Sequence, residues 1–188
     1  SGHGESSEAF ADGCIGDWAA DAIAAITTLT DGPQVLVGSS MGGWIALLVA
    51  RAMPHKVAGL VGIAAAPDFT EDSMWAGFDA AQRAGLTDAG RIELPSDYDS
   101  PYTITRRLIE DGRDNLVLRD PLHLPFPVRL LQGTADADVD QSVPLRLLDH
   151  AQGDDIRLTL VKGADHSFST PDCLVLIEKT VEKVIARA

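Results

Sequence analysis

The chain has 188 residues, 45% of them hydrophobic, and carries 28 acidic against 15 basic side chains for a net charge of −13. That length supports one globular domain with a core of useful size, and no uninterrupted apolar run is long enough to span a membrane. The acidic balance argues against a nucleic-acid partner, because phosphate backbones are held by Lys and Arg, and implies a soluble protein that anionic surfaces repel. In chain order, residues 17–29 form an Ala-rich amphipathic helix that Asp31-Gly32-Pro33 breaks. The β-branched run Val35-Leu36-Val37 then enters Gly38-Ser39-Ser40-Met41-Gly42, and residues 41–51 continue as a helix. Strand, Gly-x-Ser-x-Gly and helix together make the pattern of a nucleophile elbow with Ser40 at its tip. Gly38 and Gly42 are expected to remove side chains that would collide in so tight a turn, leaving the Ser40 hydroxyl in open space. Residues 57–64 are nearly all apolar and predict a strand buried on both faces.

The segment 67–125 departs from this alternation, with mixed polarity, a turn-rich stretch from Leu94 to Pro101 and one helix expected from Thr103 to about Leu118. An insertion of that length between core strands reads as a cap or lid that sets substrate choice, which divides the chain into a core of 1–66 with 126–188 and a cap of 67–125. Trp75, Phe78, Tyr98 and Tyr102 lie in it, either to contact a substrate or to form the cap's own small core. Beyond it, residues 128–133 predict a buried strand and 156–161 another, with a helix opened by Pro144 between them and a C-terminal helix after them. The rhythm is that of an α/β fold with a doubly wound, mostly parallel sheet.

A serine hydroxyl needs a base, and the base needs a group that orients it and stabilises its charged form. Thr134-Ala135-Asp136 places a carboxylate just past the strand 128–133, and Asp165-His166 follows the strand 156–161. Asp136 is the expected acid and His166 the expected base, each at the carboxyl end of a strand, where open parallel sheets place their sites. The order Ser, acid, His is the one this arrangement requires. Asp138 and Asp140 compete with Asp136, but Asp140 or Ser142 more naturally caps the following helix and Asp138 sits deeper in the turn. His55 at a helix end, His150 late in a helix and His123 between prolines read as surface or capping residues. Ser39 falls at the wrong place in the pentapeptide, and Asp165 reads as a turn residue. Cys14 and Cys173 lie far apart, without metal-ligand or redox-motif spacing, which fits a reducing compartment. Cys173 reads as a small buried hydrophobe. Glycine-rich phosphate loops are absent.

Taken together, Ser1-Gly2-His3-Gly4-Glu5-Ser6, the run from Asp31 to Trp44, Arg129-Leu130-Leu131-Gln132-Gly133-Thr134-Ala135-Asp136 and Asp165-His166 resemble the α/β-hydrolase superfamily. The Asp-Gly-Pro-Gln lead-in and the Gly-Ser-Ser-Met-Gly-Gly-Trp elbow are similar to the branch of mitochondrial acyl-glucuronide esterases and palmitoyl-protein thioesterases with their bacterial relatives. The resemblance implies a serine hydrolase that cleaves carboxylic esters or thioesters through an acyl-enzyme, with no metal or organic cofactor. Ser40 would be the nucleophile, His166 the base, Asp136 its orienting acid, and the Met41 backbone N–H half of the oxyanion hole. The substrate would be a small acyl ester or thioester, or an acylated protein, and the compartment cytoplasmic, or the mitochondrial matrix in a eukaryote. In the family the Gly-His-Gly-x-Ser stretch follows a fourth strand, so the chain, which does not begin with Met, is expected to be part of a longer polypeptide. The earlier strands and the second oxyanion N–H would lie there, the edge left beside the Ser40 strand should aggregate in isolation, and His3 would be a structural loop residue. Two other readings share the scaffold: a catalytically idle binding protein, and a peptidase or carbon–carbon hydrolase using the same three residues.

Overall fold

The computed structural model describes residues 1–95 and 101–188, so Tyr98 and the centre of the predicted turn lie outside the described residues. Along the chain, α1 (Ile15–Leu29), β1 (Gln34–Ser39), α2 (Met41–Ala52) and β2 (Val57–Ile63) come first. Next are α3 (Ala80–Ala89), β3 (Arg91–Leu94), β4 (Tyr102–Thr105) and α4 (Arg106–Asp114). The last third holds β5 (Leu122–His123), β6 (Val128–Gly133), α5 (Ser142–His150), β7 (Ala151–Gln152), β8 (Ile156–Val161) and α6 (Pro171–Ile185). These residues form two compact units, Ser1–Asp21 with Asp68–Leu116, and Ala22–Pro67 with Val117–Ala188.

The second unit is built on a parallel sheet in the order β1-β2-β6-β8. Strand β2 is buried at every position except Ala58, as its unbroken apolar sequence demands when both faces are covered. Its alternating residues identify the covers. A Cβ on Gly59 would run into Val184 of α6, whereas Gly62, three residues on and therefore on the opposite face, pairs with Gly38, whose own Cβ would strike the backbone of Gly42 in α2. Helices thus flank both sides of the sheet, which makes it doubly wound. On the α6 side, Val61, Ile63, Leu131, Phe168, Cys173 and Val184 form one fully buried cluster. Cys173 is a core residue there, and helix α6 starts cleanly because the Thr170 hydroxyl accepts the Cys173 N–H and Pro171 takes the first helical position. His123 is not in a bare connector: β5 pairs in parallel with β7, His123 opposite Gln152.

In the first unit the expected helix from Thr103 to Leu118 is shorter and starts later. Tyr102-Thr103-Ile104-Thr105, aromatic and β-branched, forms the antiparallel partner of β3, and Thr105 then caps α4 by accepting the Leu108 N–H at 3.1 Å. Two further elements had no counterpart in the expected order. Asp79 and Gln82 make a reciprocal capping box that starts α3, and Thr70–Trp75 is a π-helical stretch against which Gly112 of α4 packs without room for a Cβ. Trp75 and Phe78 meet edge to face, and Arg83 and Arg113 stand over the Trp75 ring at 5.3 and 4.6 Å. Phe78 is buried and Tyr102 is half exposed, in edge contact with Phe10.

Candidate active site

Ser40 joins β1 to α2 with φ 52° and ψ −122°, a conformation that costs a residue bearing a side chain on the order of 1–3 kcal/mol. Its surroundings hold it there. The Ser40 N–H donates to the Ile63 carbonyl at 2.9 Å, and the Ser40 carbonyl accepts from Gly43 at 2.9 Å and Ala66 at 3.0 Å. Gly38 is required, because a Cβ would overlap the Gly42 carbonyl. Gly42 departs from expectation: a Cβ there would meet no atom within 4 Å. The close approach falls one residue later, at Gly43, where a Cβ would sit 2.5 Å from that of Ala65. The doubled glycine after Met41 is the only trace of this in the sequence. Met41 opens α2, so its N–H is among the first four of the helix, which have no partner within it.

The His166 Nε2 lies 3.0 Å from Ser40 Oγ, and its Nδ1 lies 2.9 Å from Asp136 Oδ2 and 3.1 Å from Oδ1. An ionised carboxylate can only accept, so the Nδ1 carries the ring proton of the neutral imidazole and Nε2 presents its lone pair to the serine hydroxyl. The Asp136 side chain has no exposed surface, and His166 is about a quarter exposed. Burial works against the charged carboxylate. It is outweighed by the N–H groups of Val139 and Asp138, each 2.9 Å from Oδ1, by His166 and by the Gln132 amide 2.8 Å from Oδ2, so Asp136 stays below the usual carboxylate range.

Two backbone bonds and one to a side-chain hydroxyl lace the segment leading to Asp136 to the one leading to His166. Thr134 N–H donates to the Val161 carbonyl and Ala135 N–H to the Ala164 carbonyl, both at 2.9 Å, while Gly163 N–H donates to the Thr134 hydroxyl at 2.9 Å. Gly133 lets them approach, since a Cβ on it would overlap the Ala164 carbonyl. Gln132, Gly133 and Thr134 are site residues that the sequence alone does not single out; the only signal is a glutamine and a glycine ending a strand that is otherwise apolar apart from Arg129.

The remaining candidates do not join this relay. Asp138 is exposed and touches Asp136 only through its N–H, and Asp140 accepts the Ser142 N–H at 2.8 Å beside the start of α5. Asp165 accepts the Phe168 N–H at 3.1 Å within its turn. His150 Nε2 donates to the Asp120 carbonyl at 2.8 Å, His55 is exposed in a short 3₁₀ turn, and Ser39 is exposed at the end of β1. His3 makes a loop contact, Nδ1 to the Ser1 carbonyl, and packs edge-on against Phe10 and Trp18. Asp136, Asp138 and His166 bring ligand atoms within 4.8 Å of one another, the one such group among the described residues. Two of its three members are already hydrogen-bonded to each other.

Residues 1–101 match the family described as the alpha/beta hydrolase fold, and the chain belongs to that family. It is 32% identical over 187 residues to the mitochondrial palmitoyl-protein thioesterase ABHD10 of Rattus norvegicus, covering 98% of this chain and 63% of that protein. The chain therefore spans less than two thirds of the length of that curated relative. Among solved structures, a putative hydrolase from Agrobacterium vitis S4 superposes with a TM-score of 0.94 at 39% identity, covering 98% of this chain and 74% of that one. Mouse alpha/beta hydrolase domain-containing protein 10 superposes with a TM-score of 0.88 at 30% identity, covering 99% and 75%.

Proposed function

We propose that this chain carries the centre of a serine hydrolase that cleaves carboxylic ester or thioester bonds through an acyl-enzyme. The observation behind the reading is the continuous relay from Asp136 through His166 to Ser40, at 2.9 and 3.0 Å, ending on a serine whose backbone is strained. In the first half-reaction Ser40 Oγ bonds to the acyl carbon as its proton passes to His166 Nε2. The tetrahedral oxyanion is met by the Met41 N–H at the positive end of α2. Collapse breaks the bond to the alcohol or thiol, which leaves with the proton from Nε2. Water, deprotonated by the same nitrogen, then releases the acid and restores Ser40. Asp136 stays ionised throughout and holds the imidazole in the productive tautomer. These steps use no metal and no organic cofactor.

The thioesterase name of the mitochondrial relative favours acyl thioesters, small or protein-borne, as the substrate class. The insertion 67–125 is read as the segment that selects the acyl chain. Both cysteines are buried and unpaired, which suits a reducing compartment, the cytoplasm or a mitochondrial matrix. Among the described residues no helix is long and apolar enough to cross a membrane. The test is turnover of p-nitrophenyl esters and acyl thioesters of graded chain length beside peptide substrates, with rapid-quench mass spectrometry. Ester and thioester turnover through a Ser40-linked acyl intermediate is expected. Peptide cleavage alone, or no turnover by folded protein, contradicts it.

A further inference from the structure

We infer that Gln132 is a positioning residue of this centre, holding the Asp136 carboxylate in the orientation that the His166 imidazole requires; the inference rests on the function proposed above. Gln132 is fully buried at the apolar end of β6, beside Leu130 and Leu131, where a Leu or Met would meet no desolvation cost. Its Nε2 donates to Asp136 Oδ2 at 2.8 Å and to the Val139 carbonyl at 3.1 Å. Its Oε1 is buried without a hydrogen-bond partner. Turning the amide over would not repair this, because the oxygen would then face a carboxylate and a carbonyl, both acceptors. The amide is therefore locked in one sense, with one acceptor left bare so that its two N–H groups can hold the acid and the far end of the acid's loop.

The consequence falls on one oxygen. Asp136 Oδ1 takes the N–H groups of Asp138 and Val139, whereas Oδ2 takes Gln132 and the closer His166 bond. With both oxygens doubly engaged, the carboxylate cannot swing about its Cβ–Cγ bond, and the lone pair offered to Nδ1 has a fixed direction. Asp138 also faces the pair, but it is exposed and unchanged in the variants below, so its influence cancels between them.

The test compares wild type, Gln132→Met and Gln132→Glu for ester turnover against pH, thermal melting and fluorophosphonate labelling of Ser40. Q132M keeps the bulk and removes the donors. Its kcat is expected to fall by about tenfold to a hundredfold at nearly unchanged KM. The acid limb of its kcat/KM profile should move to higher pH, because a carboxylate relieved of one donor holds the imidazole's proton more firmly. Its melting temperature should fall, since the buried Asp136 carboxylate and the Val139 carbonyl each lose a donor; the acid limb is therefore the readout that separates the roles, because a merely structural glutamine would leave it in place. Q132E supplies a donor only while protonated, so its activity should fall as the introduced carboxyl ionises beside Asp136, displacing its optimum to lower pH. That profile decides the matter if Q132M does not fold. A Q132M profile that superimposes on wild type, or a Q132E profile of unchanged shape, overturns the inference. Wild-type protein that folds but leaves Ser40 unlabelled defeats the functional reading itself, and the inference with it.

Discussion

Gly133 and Ala164 meet backbone to backbone: a methyl group on the Gly133 α-carbon would overlap the Ala164 carbonyl oxygen and lie 2.6 Å from its carbon. Gly133 ends β6 just before the loop that carries Asp136, and Ala164 lies in the loop that carries His166, so this close approach helps bring acid and base together. Gly133→Ala is therefore expected to cost about 1–3 kcal/mol of stability, measured by urea unfolding. Activity should fall further, by about a hundredfold in protein that remains folded, because neither colliding atom belongs to a side chain that can turn aside.

Asp136→Asn should lower kcat by about ten-thousandfold while leaving the fold intact, the scale of loss expected when an amide favours the wrong imidazole tautomer. The same variant has a pH signature. Asp136 ionises more readily folded than unfolded, so the stability it contributes is complete above the ordinary carboxylate range, near pH 4, and is lost as pH falls through its lower folded value. Chemical denaturation across that range should show the wild-type advantage over D136N shrinking in acid.

Asp155 gathers three guanidinium groups, Arg129 and Arg187 on Oδ2 at 2.9 Å and Arg157 on Oδ1 at 3.2 Å. Arg129 is almost buried, at 11% exposure, and it is the main reason the Asp155 carboxyl is held below its ordinary range. Asp155→Ala should lower the melting temperature at neutral pH, with the difference from wild type closing in acid as the wild-type carboxylate takes up its proton. Arg129 and Arg157 lie near the amino ends of β6 and β8, opposite the end that carries His166 and Asp136. The rate of Ser40 labelling should therefore be unchanged.

Among the described residues β1 pairs only with β2, and Val37 within it is half exposed. Chains of 188 residues should associate through this edge with rising concentration, as read by sedimentation velocity. Val37→Lys should reduce that association, since a charged side chain on an edge strand opposes pairing between copies.

The sheet and the three proposed catalytic residues were legible because each rests on a local pattern: Val35 to Ser39 running into the elbow, and Asp136 and His166 just past apolar strands. What escaped depends on distant atoms. Gly42 and Gly43 look alike in sequence, and only the packing of α2 against Ala65 makes the second the constrained one. Gln132 reads as an imperfection in an apolar strand until its amide is seen on the Asp136 carboxylate. Residues 103–105 joined an expected helix because the strand they pair with, Arg91–Leu94, is not their neighbour in sequence, whereas their β-branched composition already favoured extension.

The central claim is that Ser40 is activated by His166. The direct measurement is intact-mass labelling by a fluorophosphonate probe, run on wild type, Ser40→Ala and His166→Ala with folding checked by circular dichroism. One adduct mapped to Ser40, absent in S40A and strongly slowed in H166A, is predicted. A folded wild-type protein that takes up no probe, or takes it up equally in H166A, would contradict the account.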